Sequence, residues 1–502
     1  MRSQKKTGAF LGYLNIGAKN LVNLIYVPLL LHFLGQGNYG VYQMTASVTF
    51  ALVILEAGFS GAYIRFYMRK RSKNDEAGIR ELNGIFLLTY LAVALSCLVC
   101  GAVLVVNVDR IFSRGLTPSE IGLARELMAI MSVNVALQFL SSPFDSFIAA
   151  HEQFIFQQSR QLFVTIAQPF LAVMLLMLGM GAVGVASAQL VVTAVLLLLN
   201  ISFSLRKLGM RFTFRNLEGS LFRAILVFSF WIFLNQIFDL VNNNVPNFLL
   251  GAMASSSAVA VFSIALQIRN IFFSMSTTMS NVFVPQINRM VAESDDNNAL
   301  THLMTRVGRY QMILFWYIFG GFIVLGRFFV HIWAGDANAD AYWLAVIMVF
   351  PVMIPLTQNT GIEIQRAKNR HKMRSLIYIL TSVIDIVVSA LLIPEIGYWA
   401  TAIGYDASIL LGTGMFMNWY YHNRIGLDML YFWRNMLPTI ALSIGTVVLC
   451  LGGSVLLPVN SILSFIVWGI GYSLLFVGLA WRFSLTDMER EKVLQRIANK
   501  HQ

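Results

Sequence analysis

The amino-acid sequence predicts an all-α integral membrane protein with fourteen transmembrane helices, arranged as two pseudo-symmetric six-helix bundles and two additional C-terminal helices. Three observations support this fold class. The 502-residue chain is 57% hydrophobic and 12% charged, with a mean hydropathy of +0.68, a composition typical of multi-pass membrane proteins. Its apolar runs reach about 20 residues or more, the length of a helix that crosses a bilayer. Positive charge also alternates between successive loops.

Each apolar run begins and ends at turn residues or charged clusters, and these limits define the predicted helices. A Gly-Gln-Gly-Asn turn at 35–38 separates the first two runs, and the basic cluster 69–71 ends the second. The fourth run starts at 117–120 with Thr at the N-cap, Pro at N1 and Glu at N3, which is typical of a helix start. The predicted spans are 9–34, 39–68, 83–107, 119–150, 155–180, 182–205, 221–250, 256–288, 306–333, 340–365, 374–394, 398–421, 435–457 and 460–482.

The placement of Lys and Arg predicts the orientation of these spans. With the N-terminus inside, 30 of the 36 Lys and Arg residues fall in inner segments, as expected for cytoplasmic loops. A miscounted helix would invert every later loop, so the alternation predicts that both termini are cytoplasmic. The formal net charge of +12 therefore reflects topology, and no nucleic-acid partner is expected. The six Lys and Arg residues outside the inner segments are Lys19, Arg110, Arg114, Arg125, Arg269 and Arg327.

The chain contains an internal repeat with an offset of roughly 215 residues. A Val-Pro pair at 27–28 precedes a small-residue turn and Tyr-Gly-Val-Tyr at 39–42, and a Val-Pro pair at 245–246 precedes a similar turn and Val-Ala-Val-Phe. Duplicated bundles around a site near the midplane are a recurring transporter architecture; chance similarity between apolar helices is the alternative explanation. The predicted domains are an N-terminal bundle at 1–213, a C-terminal bundle at 214–421, two additional helices at 422–482 and a cytoplasmic amphipathic tail at 483–502.

Polar side chains recur at steps of three and four residues on the first, seventh and eighth predicted helices. A lysine within a membrane costs about 2.5–3.5 kcal/mol on insertion scales, so it normally faces protein or water. Ordinary interhelical hydrogen bonds, worth about 0.6 kcal/mol each, are the alternative use of such residues. The stripes instead predict a water-filled, substrate-binding cavity between the bundles. Its predicted lining residues are Asn15, Lys19, Asn23, Asn235, Asn242, Gln267, Arg269 and Asn270.

Arg269 and several acids are the other charges within predicted spans. Arg269 lies about 100° around its helix from Asn270, so it either lines a wide cavity or pairs with an acid such as Asp239. Asp239 and Asp385 lie deepest, and either could bind a proton or sodium ion during transport. Three acids near inner helix ends, Glu56, Asp145 and Glu363, are expected to form salt bridges with nearby arginines. No metal site, catalytic residue or cofactor is expected, apart from H⁺ or Na⁺ coupling.

Short motifs in the first spans give the sequence a family resemblance. Tyr-Gly-Val-Tyr at 39–42, Leu-Glu-Ala-Gly-Phe at 55–59 before Arg65, and the basic turn 366–374 resemble bacterial polysaccharide-unit flippases. These O-antigen and exopolysaccharide flippases belong to the multidrug/oligosaccharidyl-lipid/polysaccharide exporter superfamily. The resemblance implies a fold like that of MATE transporters and lipid flippases. It also implies transfer of an undecaprenyl-diphosphate-linked oligosaccharide across the bacterial cytoplasmic membrane by alternating access.

The resemblance assigns roles and partners to the candidate residues. Lys19 and Arg269 would offset the charge of the diphosphate, and the Asn and Gln stripes would bind sugar hydroxyls. The implied partners are the lipid-linked glycan, membrane lipids, and polysaccharide polymerase and export machinery. A lipid II flippase and a multidrug antiporter remain alternatives, as does a membrane polysaccharide polymerase or transferase. An enzyme is not expected, because most outer segments are short and show no acid/base or nucleophile constellation.

Overall fold

The computed structural model describes residues 2–56, 59–215, 219–368, 370, 372–485, 489–491 and 495, without some side chains, among them those of residues 231–242. All regular elements in these ranges are helical. Within them, eleven helical segments are long and apolar enough to cross a membrane. The chain is therefore an all-α, multi-pass integral membrane protein, although the exact count of fourteen spans is not confirmed.

From the third predicted run onwards, the helices of the first part of the chain follow the predicted runs closely. Seven helices cover these runs: α1 (Arg2–Phe50), α2 (Phe59–Arg71), α3 (Glu76–Phe112), α4 (Pro118–Ala150), α5 (Phe154–Met177), α6 (Gly181–Ser202) and α7 (Gly219–Met253). The predicted start of α4 is confirmed, because Thr117 and Glu120 form a reciprocal capping box with Pro118 at the first turn.

The first two predicted spans differ from a simple helical hairpin. Helical structure runs through the predicted turn, but Gly35 has a φ of 72° and a ψ of 169°, so the two helical arms meet at a non-helical residue. Glycine takes this conformation without the steric penalty of a Cβ atom. The second predicted span is itself divided, because α1 ends at Phe50 and a 3₁₀ segment, Ala51–Glu56, leads towards α2.

The helices of the remaining chain are more often interrupted. Ten helices follow: α8 (Ser256–Asn281), α9 (Val284–Glu293), α10 (Asn297–Ala334), α11 (Ala341–Thr357), α12 (Asn359–Ala367), α13 (Lys372–Ile396), α14 (Trp399–Ile409), α15 (Met417–Tyr420), α16 (Met429–Leu456) and α17 (Ile462–Phe483). The predicted span 256–288 ends early because Pro285, at the first turn of α9, has no N–H with which to continue α8. The span 340–365 is likewise divided at Gln358.

The chain forms two compact units. The first contains residues 1–260 and 393–398, and the second contains 261–392 and 399–502. Helix α7 packs against α1, α2 and α3 within the first unit. The predicted division into bundles of residues 1–213 and 214–421 stays a prediction. The predicted tail at 483–502 lies mostly outside the described residues.

The first unit has an aromatic core and a close helix contact. Tyr63, Phe86 and Tyr90 are buried, and Tyr63 meets Phe86 edge to face at a centroid distance of 4.9 Å. On α1, Gly40 lies against the start of α8, where a Cβ atom would be 1.8 Å from the carbonyl oxygen of Ser256. The Gly of the Tyr-Gly-Val-Tyr motif is therefore required by packing, because any larger residue would clash with backbone.

Candidate functional site

The polar face of α1 is only partly buried. Asn15 accepts a hydrogen bond of 2.8 Å from the Thr165 hydroxyl on α5, so this residue stabilises helix packing within the first unit. Lys19 and Asn23, at the next two positions of the stripe, are exposed. An exposed lysine on a spanning helix requires water or an anion nearby.

The polar stripe of α8 is exposed along its length. Gln267 is half-buried, whereas Asn270, Ser274, Thr277 and Asn281 are exposed. Side chains that served mainly as interhelical hydrogen-bond partners would be buried against neighbouring helices. The opposite face of α8 shows that arrangement: the buried Gln311 amide donates to the Ser276 carbonyl oxygen at 3.1 Å and to the Ser280 hydroxyl at 3.0 Å.

Arg269 lies on this buried face of α8, with 2% of its surface exposed. Its guanidinium carbon is 4.5 Å from the centre of the Tyr405 ring on α14 and 5.5 Å from that of Phe273. It also donates a 3.2 Å hydrogen bond to the Asn270 side chain. The structure thus places Arg269 inside the second unit, against an aromatic face that attracts a cation.

Two carboxylates accompany this arginine. Asp385 on α13 and Asp406 on α14 both interact electrostatically with Arg269 and with each other. Asp385 is 2% exposed and accepts a 3.1 Å hydrogen bond from Ser389. The Oδ1 atom of Asp406 is buried and accepts no hydrogen bond from the described residues. One fixed cation therefore faces two acidic groups.

A glycine brings the two acid-bearing helices together. At Gly404 on α14, a Cβ atom would lie 2.4 Å from the Ser389 hydroxyl and 2.8 Å from the carbonyl oxygen of Asp385. Because nothing larger than hydrogen fits there, α14 approaches α13 closely enough for Asp406 and Asp385 to share Arg269. Sequence reasoning identified Asp385 and Arg269, but it assigned no role to Tyr405. Asp406 lies within the predicted span 398–421, and its place there was the available signal.

Three predicted site residues lie on the seventh helix, α7. The side chains of Asn235, Asp239 and Asn242 lie outside the part of the chain whose side chains the structure describes. The proposed pairing of Asp239 with Arg269 is therefore not tested. Further along α7, Asn247 donates a 2.9 Å hydrogen bond to the Ser47 hydroxyl on α1, a packing contact within the first unit.

The first unit has its own partly buried network of charged groups. Arg160 on α5 donates to the Asp145 carboxylate at 2.6 Å and to the Asn200 side chain at 2.5 Å, which confirms one of the predicted salt bridges. Glu56 accepts hydrogen bonds from Ser142 at 2.6 Å and from Tyr90 at 3.3 Å.

In the second unit, Glu363 forms the predicted salt bridge with Arg366, at 2.7 Å. Among the residues that the structure describes, no group of three or more His, Cys, Asp or Glu side chains could hold a metal ion. Asp145 and Glu363 are thus paired with arginines, whereas Glu56 is held by two hydroxyl groups.

These features define a multi-pass membrane protein with buried ion pairs and an exposed polar face, a combination found in transporters. The chain belongs to the polysaccharide biosynthesis protein family, which residues 6–291, more than half of its length, match. It is also similar to the uncharacterised membrane protein EpsK of Bacillus subtilis (strain 168), at 21% identity over 488 residues that cover 93% of each chain.

Solved structures of transporters share the fold. An inward-closed structure of the lipid II flippase MurJ matches with a TM-score of 0.72 and 13% identity, over 94% of this chain and 99% of that one. An inward-facing MATE multidrug transporter of the MOP superfamily matches with a TM-score of 0.62 and 15% identity, over 81% of this chain and 94% of that one. The predicted MATE-like and lipid-flippase-like fold is confirmed.

Proposed function

We propose that this protein flips an undecaprenyl-diphosphate-linked oligosaccharide repeat unit across the bacterial cytoplasmic membrane by alternating access, as a transporter and not an enzyme. The family supports a role in polysaccharide biosynthesis, and the fold supports transport. The single observation that favours a glycan as cargo is the exposed stripe on α8. Its amide and hydroxyl groups, on a helix of 26 residues, can donate to and accept from sugar hydroxyls.

Lys19 is proposed to meet the diphosphate. It is exposed on α1, a spanning helix. A charged lysine on such a helix can reach water only in a wet cavity or at the membrane surface. A diphosphate that crosses about 30 Å of hydrocarbon needs such a cation. Asn15, Asn23, Gln267 and Asn270 are proposed to bind the sugars, as are Asn235 and Asn242.

Polymer export by cells carrying substituted protein tests this role. Lys19→Ala should abolish export while the protein remains in the membrane, and Lys19→Arg should retain it because the charge is kept. Arg327→Ala is a matched control, since Arg327 is also an exposed cation on a spanning helix. Normal polymer levels in Lys19→Ala would remove Lys19 from the mechanism.

The buried acids are proposed to couple transport to an ion gradient. With both carboxyl groups ionised, Asp385 and Asp406 would carry one negative charge more than Arg269 offsets, so a bound proton or sodium ion would complete the site. Asp239 is retained as a further candidate. In proteoliposomes, Asp406→Asn should make flipping insensitive to collapse of the proton or sodium gradient. Glu293 is an exposed acid, so flipping by Glu293→Gln should remain sensitive to that collapse. Wild-type flipping that ignores both gradients would contradict coupling.

We further propose that the chain has fourteen spans with both termini in the cytoplasm, following the positive-inside distribution. The proposed partners are the lipid-linked glycan, membrane lipids, and polysaccharide polymerase and export machinery. A lipid II-type precursor is the second candidate cargo, favoured by the fold shared with MurJ. Supplying purified lipid II and a lipid-linked repeat unit to the same proteoliposomes separates the two, because only the transported lipid becomes accessible on the far side.

A further inference from the structure

A polar cavity lies among α10, α16 and the residues that follow α17, apart from the polar stripes and the Arg269 cluster. It has a volume of about 400 Å³, within the range of small-ligand sites. Arg309 projects from α10, whereas Tyr431, Arg434 and Asn435 are contributed by α16. The far wall is formed by residues 483–485 at the end of α17, where the Thr439 hydroxyl donates a 3.3 Å hydrogen bond to the Ser484 hydroxyl.

Among the described residues at the cavity, positive charge is in excess. Glu489 forms an ion pair with Arg309 and accepts a 2.7 Å hydrogen bond from Tyr310. Both partners of this pair are largely buried, with side-chain exposures of 16% and 15%. Arg434 is exposed and has no ion pair within the described part of the chain. Glu489 thus already pairs with Arg309. Arg434, which lines the same cavity, remains available to an anion.

The surface that continues from the cavity is apolar. Leu430 and Leu437 lie four residues before and three residues after Arg434, on the same face of α16, and are 75% and 60% exposed. Helix α17 beside it is also largely exposed along its apolar length. A soluble anion would gain nothing from this surface, whereas a lipid would place its acyl chains there.

The depth of the cavity suits a lipid headgroup. Arg434 is in the second turn of α16, and the cavity is closed by residues directly after the last turn of α17. Arg309 lies about 18 Å from the start of α10, which at about 57 Å is much longer than a bilayer core of about 30 Å. All three elements therefore place the cavity at an end of the spanning helices, where phosphate groups of lipids lie.

We propose that this cavity binds the phosphate-bearing headgroup of an anionic phospholipid, with Arg434 and Arg309 on the phosphate and the acyl chains along α16. Arginine is suited to this ligand because its planar guanidinium forms two parallel hydrogen bonds with a phosphate. Basic pockets between transmembrane helices bind anionic lipid headgroups in this way. The site is independent of the molecule that the protein transports.

Lipid binding by the full-length, delipidated protein in detergent tests the site. The probes are dihexanoyl-phosphatidylglycerol, the phosphatidylcholine analogue and inorganic phosphate, with affinity measured by thermophoresis. Wild-type protein should bind the phosphatidylglycerol analogue most tightly. Arg434→Gln should weaken this binding about tenfold, because one hydrogen bond to a charged group is lost. Arg434 is exposed, so this variant should fold normally.

Two further variants sharpen the test. Arg306→Gln is the matched control: Arg306 is an exposed cation one turn before Arg309 and does not line the cavity, so its loss should leave the affinity unchanged. Glu489→Gln removes the internal anion from Arg309 and should raise the affinity several-fold. Equal losses in Arg306→Gln and Arg434→Gln would show non-specific attraction and overturn the proposal.

The remaining outcomes also decide between sources of the anion. Inorganic phosphate that competes as well as the lipid would show a free-phosphate site and overturn the assignment to a lipid. Equal affinity for the phosphatidylcholine analogue would show that the cations do not select the headgroup. A lower affinity of Glu489→Gln for the phosphatidylglycerol analogue would show that Arg309 does not bind the phosphate, and would overturn its assignment.

Discussion

The guanidinium of Arg269 lies 4.5 Å from the centre of the Tyr405 ring, and this contact joins α8 to α14 inside the second unit. A buried arginine is stable only when its charge is compensated. Here Tyr405 supplies a π face, while Asp385 and Asp406 supply negative charge. The cluster therefore links three helices, α8, α13 and α14, through one side chain.

Removal of this arginine should destabilise the protein strongly. Arg269→Ala leaves two carboxylates without their cation, and breaking a buried ion pair typically costs about 3–5 kcal/mol. The unfolding temperature in detergent should fall accordingly, and adding Asp406→Asn should recover part of the loss. Arg306→Ala, at an exposed position, should change stability by less than about 0.5 kcal/mol. Equal stability of Arg269→Ala and wild type would show that the cluster contributes nothing to folding.

The aromatic partner can be tested separately. The Tyr405 hydroxyl makes no hydrogen bond with the described residues, so Tyr405→Phe should leave the unfolding temperature nearly unchanged. Tyr405→Leu removes the π face and should destabilise the protein by about 0.5–2 kcal/mol beyond the change in packing. If Phe and Leu behaved alike, the ring would act only as apolar filling.

Gly40 should tolerate no side chain. Gly40→Ala places a methyl group against the Ser256 carbonyl oxygen, where the distance would be 1.8 Å, so α1 and α8 must separate. Overpacking of this kind costs about 1–3 kcal/mol. Gly122→Ala is the matched control, because Gly122 is helical with open space around it and should gain up to about 1 kcal/mol. Thermal unfolding of both variants should therefore shift in opposite directions.

His151, in the turn between α4 and α5, should make stability depend on pH. Its Nδ1 is 2.9 Å from the Phe147 carbonyl oxygen, which can only accept, so Nδ1 carries the proton and Nε2 accepts from Tyr67 at 3.0 Å. Burial lowers the pKa of His151 below its usual 6.5, and the nearby Arg71 lowers it further. The unfolded chain then takes up the proton first as the pH falls.

The sign of this effect follows directly. The contribution of His151 is complete above its unfolded pKa of about 6.5 and is lost progressively as the pH falls towards the lower pKa of the folded protein. The unfolding temperature should drop between pH 7.5 and 5.5 more steeply in wild type than in His151→Gln. Identical slopes in the two proteins would mean that folding does not lower the pKa of His151.

Cysteine labelling tests the proposed orientation. Asn38, Ser72 and Asn460 are all exposed, so a membrane-impermeant thiol reagent should reach any of them that faces the outside. In a background without Cys97, Cys100 and Cys450, cysteines at 38 and 460 should be labelled in intact cells. A cysteine at 72 should be labelled only after the membrane is opened. The reverse pattern would invert the topology.

The sequence by itself determined the class of the protein. Apolar run length and low charge predict an all-helical membrane protein, because unpaired backbone groups are too costly in lipid for most other structures. The capping box at Thr117 and the Asp145–Arg160 pair were also predictable, since both depend on residues at short range or on a helix end. The motifs indicated the family.

Only the tertiary structure decided which polar groups are buried. Arg269 and Asn270 are neighbours in sequence, yet one is enclosed against Tyr405 and the other is exposed. The helical period makes the two side chains point in different directions. Which of these directions faces protein depends on contacts with α13 and α14, far along the chain. Arg309 and Arg434 likewise line one cavity only because α10 and α16 pack together. Helical periodicity is a local property, whereas burial depends on long-range packing.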